Sequence, residues 1–153
     1  MLFRRLFASI LLFTFTAQAQ TPDHQPMMNE VWEAFDQLMY KVTTEDDGTT
    51  VYTPHFPKVL KDLDHTTVTL PGYMVPFELG RDHHMFMLSV LPVMQCMFCG
   101  QNGIPPLVQV TMKSGKARFS NNPFKIRGKV YLNTNLEKGA EIQILDAEVV
   151  EQD

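Results

Sequence analysis

Five short runs rich in β-branched and aromatic residues, separated by turn residues, constrain this 153-residue chain more than any other feature. They cover positions 66–76, 85–93, 107–112, 124–132 and 141–150. Threonines, valines and the alternation at Val68 and Leu70 favour a strand in the first run. Gly80-Arg81-Asp82-His83-His84, Lys113-Ser114-Gly115-Lys116 and Asn121-Asn122-Pro123 are polar breaks between the runs. Two runs carry internal punctuation, Pro71-Gly72 and Gly128, and a glycine inside a strand marks a bulge or a sharp bend. Five bent strands predict one antiparallel, curved sheet closed into a small OB-like β-barrel, a mainly β fold with an N-terminal helix, rather than a parallel α/β fold.

Ahead of the sheet, Met28, Val31, Trp32, Phe35, Leu38, Met39 and Val42 follow the i, i+3, i+4 spacing of an amphipathic helix over 28–42. Asn29 is placed to cap it, and Glu30, Glu33 and Asp36 suit the positive end of its dipole. Trp32, the only tryptophan, is expected in the core. Glu45-Asp46-Asp47-Gly48 predicts a turn with solvated acids, 49–53 a short strand, and 55–63 two helical turns after Pro54.

The first nineteen residues stand apart from this pattern. Arg4 and Arg5 precede an apolar run over 6–16, and Ala17-Gln18-Ala19 offers small residues at −3 and −1, the layout of a secretory signal cleaved after Ala19. The run is shorter than the roughly 20 residues a membrane-spanning helix needs. Residues 20–27, with Pro22 and Pro26, are expected to form a flexible leader, and 28–153 a single OB-like domain. Losing Arg4 and Arg5 takes the formal charge from −4 to −6. An acidic chain without a Lys/Arg cluster argues against nucleic acid and anionic membrane surfaces. The expected location is periplasmic or secreted, without stable membrane insertion after cleavage.

Between the second and third strand runs lies Gln95-Cys96-Met97-Phe98-Cys99-Gly100-Gln101-Asn102-Gly103, which holds both cysteines of the chain. The Cys-x-x-Cys spacing lets two sulfurs aim at one ion or at each other. Loops borne on a rigid sheet tend to carry function. Three readings follow. Cys96 and Cys99 as thiolates, with Met94, Met97 or a distant histidine completing the shell, would form a soft-metal site for zinc or copper. A structural disulfide would stiffen the loop of a protein- or peptide-interaction module, and an oxidising compartment favours such closure. A redox dithiol is the third reading, but the loop lacks a preceding Trp, and Pro105 and Pro106 block an early following helix that would stabilise a thiolate.

His83 and His84 form a separate, weaker metal candidate, with an exposed turn as the plainer reading of Asp82-His83-His84. An extended 85–91 segment would hold these histidines roughly 23 Å from the cysteine stretch, at about 3.3 Å per residue. A hydrolase or nucleotide-binding motif is absent from the sequence: there is no nucleophile elbow, no His-Glu-x-x-His and no phosphate-cradling Gly-rich loop. The expectation is therefore a non-catalytic binding protein whose partner is a metal ion or a periplasmic protein.

Several motifs also fall in the order of a known family. They are Trp32 in the helix, Pro54-His55-Phe56, Leu70-Pro71-Gly72-Tyr73-Met74-Val75-Pro76, the Cys96 to Gly100 loop running into Pro105-Pro106, and Gly128-Lys129-Val130-Tyr131-Leu132-Asn133. Together they resemble an exported bacterial family known only as a domain of unknown function, over positions 30–150. One branch of that family carries a Cys-Phe-Phe-Cys-Gly loop similar to positions 96–100. In another branch a histidine follows the first cysteine, which makes a fixed disulfide less obligatory and a ligand site more plausible. The resemblance implies an OB-like fold and export, and it implies no reaction.

Overall fold

The computed structural model describes residues 27–92 and 106–152. The elements run α1 (Glu30–Phe35), β1 (Met39–Thr44), β2 (Thr50–His55), α2 (Lys58–Leu63), β3 (Thr67–Pro76), β4 (Asp82–His83), β5 (Met85–Ser89), β6 (Leu107–Met112), β7 (Ala117–Arg118), β8 (Phe124–Leu132), a 3-10 turn at Leu136–Lys138, and β9 (Ile142–Gln152).

Five of the strands close into a barrel in the order β3-β5-β6-β9-β8, with β8 returning to β3. Counting barrel strands along the chain, the ring reads one, two, three, five, four, the connectivity of an OB-like barrel. Its interior follows from strand alternation. Val68, Leu70, Phe86, Leu88, Val108, Val110, Ile126, Val130, Ile142 and Ile144 are buried in one core, and in the first part of β3 and along β8 the residues between them turn outward.

The sheet is not wholly antiparallel, as the strand runs alone predict. β6 and β9 pair in parallel, through Gln109↔Gln143 and Val110↔Ile144. The reason is topological: β9 is inserted between β6 and β8, and antiparallel pairing with β8 fixes its direction.

Closure depends on the two internal glycines. β3 pairs with β8 over Thr67 to Gly72 and with β5 over Tyr73 to Pro76, so its partner changes at Gly72. A Cβ on Gly72 would lie 2.8 Å from both Leu88 Cγ and the Ser89 carbonyl oxygen. Gly128 faces a bulge in β9, where the register slips against both neighbours. A Cβ on Gly128 would lie 2.9 Å from the Leu145 carbonyl oxygen. Asp146, the extra residue of that bulge, has φ +52°, a left-handed conformation that Asp tolerates better than branched residues do.

α1 begins as its sequence dictates. Asn29 accepts a hydrogen bond from the Trp32 amide at 3.0 Å, and Glu30 and Glu33 occupy the first turn. Trp32 is fully buried, meets Phe35 edge-on at 5.8 Å, and donates from Nε1 to the Pro71 carbonyl at 2.8 Å. The helix ends at Phe35 instead of continuing to 42. Residues 39–44 form β1, whose Val42, Thr43 and Thr44 lose side-chain freedom in a helix and suit an extended chain. A turn at 45–48, closed by the Glu45 amide on the Thr49 carbonyl, returns the chain as β2. This hairpin stands outside the barrel.

Candidate functional site

The barrel has two distinct ends. One gathers the start of β3, the end of β5, the start of β6, the end of β8 and the start of β9. The stretch holding Cys96 and Cys99 is attached here, because Ser89 and Leu107, the residues that bracket it on β5 and β6, are direct partners across the two strands. Cys96, Cys99, Met94 and Met97 themselves lie outside the described residues.

The described part of the attachment is tied down. Ser89 is fully buried and its Oγ accepts from the Leu91 amide at 3.1 Å. The Met27 amide donates to the Val90 carbonyl at 3.0 Å, joining the last residue of the expected leader to the same place.

A polar cluster that the sequence reading missed fixes the neighbouring connection between β8 and β9. Asn133, 2% exposed, donates from Nδ2 to the carbonyls of Asn135, Gly139 and Ala140 at 2.8–3.2 Å, and its Oδ1 accepts from the Asn135 amide. Gln109 Oε1 accepts from the Ala140 amide at 3.1 Å, and Gln143 Nε2 donates to the carbonyls of Lys138 and Ala140. These side-chain groups bond the backbone of the turn, which is how an irregular loop stays ordered when partly buried. The signal was present: Asn133 closes the Gly-Lys-x-x-Leu-Asn motif, and Gln109 and Gln143 break otherwise apolar runs.

Tyr40 of the hairpin reaches the same end, donating its phenol to Glu141 Oε1 at 2.7 Å, one residue before β9. Partial burial, the hydrogen bond to Glu141 and that carboxylate's negative charge together push the Tyr40 pKa up to about 12.

His83 and His84 belong to the opposite end, where β4 pairs with β7. His83 is the last residue of β4 and His84 sits at the bend between β4 and β5, and the two rings differ in environment. His83 is buried, with Nε2 3.2 Å from the Gly80 carbonyl, and its Nδ1 has no hydrogen-bond partner among the described residues. His84 is exposed, with Nδ1 3.1 Å from the Gly115 carbonyl. Among the described residues, no group of three or more His, Cys, Asp or Glu side chains converges where it could hold a metal ion.

A shallow pocket of about 170 Å³ opens between Met27, Pro71, Pro123, Phe124 and the paired Lys125 and Glu151. It brings together none of the sequence-predicted site residues. Among the described residues, no helix is long and apolar enough to cross a membrane.

Fold and attachment together define a class: a small OB-like barrel that carries a cysteine-bearing connection between its second and third strands. Comparison with protein-family models, with curated proteins and with solved structures finds no match to this chain.

Proposed function

We propose that the protein is an exported, non-catalytic binding protein that takes up a soft metal ion, zinc or cuprous copper, through Cys96 and Cys99. The observation that carries this reading is the attachment of the Cys-x-x-Cys stretch to Ser89 and Leu107, partnered residues of a closed barrel. A loop whose two ends are held by a rigid sheet loses less freedom when its sulfurs converge on an ion. Thiolate pairs favour zinc and cuprous copper over hard cations, and Met94 and Met97 add soft thioethers beside them.

Thiolates must form before they ligate, so binding releases protons and weakens as pH falls. The test is titration of the reduced mature protein with zinc and, separately, with cuprous copper, beside a Cys96→Ser/Cys99→Ser variant. Wild type is expected to bind stoichiometrically with proton release, and the variant to lose that binding while keeping its circular dichroism. Binding of equal strength by the variant overturns the reading. So does absence of binding by wild type, and reduction that lowers stability without metal affinity then points to a structural disulfide in an interaction module.

A further inference from the structure

The β1–β2 hairpin has more exposed apolar surface than a finished two-stranded ribbon should carry. All six residues of β1 are exposed, and Val42 and Tyr52 stand 55% and 58% open to solvent. Val42 pairs directly with Tyr52, and Tyr40 with Pro54, so these four side chains share one face. An isolated two-stranded hairpin is marginal in water, whereas three or more strands with an apolar face are stable.

The register shows which edge is open. The Glu45 amide bonds the Thr49 carbonyl, and hydrogen-bonded pairs alternate from there through Thr43/Val51, Lys41/Thr53 and Met39/His55. Pro54, which has no N–H, falls in a non-bonded pair, as that alternation requires. The backbone groups of Tyr40, Val42 and Thr44 therefore point away from β2. Among the described residues, no backbone group outside the hairpin bonds them. The outer edge of β2 is blunted by Pro54, a usual way of stopping further strand addition.

We propose that β1 is a docking edge for β1 of a second copy of this chain, giving a closed two-fold dimer with a four-stranded antiparallel sheet. Centring the axis on Val42 pairs every outward group of the edge: Val42 with Val42, and Tyr40 with Thr44, in both directions. The same register sets Lys41 opposite Thr43, so like charges do not face each other directly. A register one step shorter would oppose Lys41 to Lys41, and one step longer would leave Tyr40 without a strand partner. The edge is its own complement, which an isologous interface requires. In the dimer, Tyr40, Val42 and Tyr52 of both copies form one continuous apolar face, and Pro54 at each outer edge prevents growth into a filament. The proposal does not depend on whether the cysteines bind metal.

Sedimentation equilibrium of the mature protein over about 1–500 µM tests it, since a single six-residue edge makes an interface at the small, concentration-dependent end of the range. Wild type is expected to pass from monomer to dimer across that range. Val42→Lys, at an exposed position, places two ammonium groups across the axis and is expected to weaken association about tenfold or more. Val42→Cys in a Cys96→Ser/Cys99→Ser background is expected to cross-link as a dimer under mild oxidation, and Thr43→Cys in that background is not. A monomer at every concentration overturns the proposal. A dimer of undiminished strength in folded Val42→Lys, or equal cross-linking from Val42→Cys and Thr43→Cys, does so as well.

Discussion

At Gly72 the chain has no room for a side chain. A Cβ there would press on the Ser89 carbonyl and on Leu88, which itself is fully buried, so neither can retreat without moving the β3–β5 pairing. The backbone is not in the left-handed region, so the requirement is one of close approach and not of conformation. Gly72→Val is expected to cost about 1–3 kcal/mol, the range for overpacking a filled core, and to lower Tm by several degrees. A melting curve superimposable on wild type would mean that β3 and β5 do not approach in this way. Tyr40 carries a second residue-scale consequence. Its folded pKa, about 12, lies above the ordinary tyrosine value of about 10, so the folded state holds the phenolic proton more tightly than the unfolded chain does. The resulting stabilisation is complete below about pH 10 and is lost as pH rises towards 12. Tyr40→Phe should therefore be less stable than wild type at neutral pH, and the gap should close between pH 10 and 12. Denaturant midpoints of the two proteins that stay a constant distance apart across that window would show that Tyr40 does not titrate as the Glu141 contact implies.

Among the elements, β9 and the β1–β2 hairpin sit at opposite extremes of constraint. β9 is paired on both sides, once parallel and once antiparallel, and bulges at Asp146 so that both ladders can continue. It is the strand that closes the ring. The hairpin is held by its own ladder, by the turn at 45–48 and by the phenol of Tyr40 on Glu141. Little apolar surface opposes its opening, because only Pro54 of its twelve strand residues is buried. Hydrogen exchange measured at low protein concentration should reflect this difference. The ladder amides of Lys41, Thr43, Val51 and Thr53 are expected to exchange through local opening, while those of Val110, Val130 and Ile144 wait for global unfolding. Equal protection in the two groups would make the hairpin part of the barrel's cooperative unit.

For the molecule as a whole, the polarity of the barrel separates two sets of candidate residues. The end that carries the cysteine attachment also carries the Asn133-Gln109-Gln143 network, the Glu141–Tyr40 contact and the entry of β3 after α2. The other end carries His83, buried, and His84, exposed. A site shared between the two sets would have to bridge the length of β5. Cross-strand ion pairs such as Lys113–Glu148 and Lys125–Glu151 decorate the outside, half exposed, and such surface pairs contribute about 0–1 kcal/mol each. The cohesion of the domain comes instead from the apolar interior lined by all five barrel strands, with Trp32 and Phe35 of α1 joined to it.

The barrel strands were legible in the sequence because alternation reports directly which side chains face inward. Val68 and Leu70 mark the buried face of one strand before any fold is known, whereas the apolar run 85–93 marks a strand without saying which side chains face inward. Gly72 and Gly128 likewise mark the places where strands crowd, and Asn29 marks the start of α1. The parallel pairing of β6 with β9 was not legible, because alternation encodes a face and not a neighbour; the neighbour depends on contacts between segments far apart in the chain. The same ambiguity hid β1. Leu38, Met39 and Val42 fit a helical period, yet Met39 and Val42 are exposed, and the β-branched run settles the matter in favour of a strand. The sequence determined that the histidines lie beyond one end of a strand and the cysteines beyond the other. Only the tertiary structure decided that His83 is enclosed and His84 open, and that Asn133, Gln109 and Gln143 meet, because burial and hydrogen-bond partners exist only once the ring has closed.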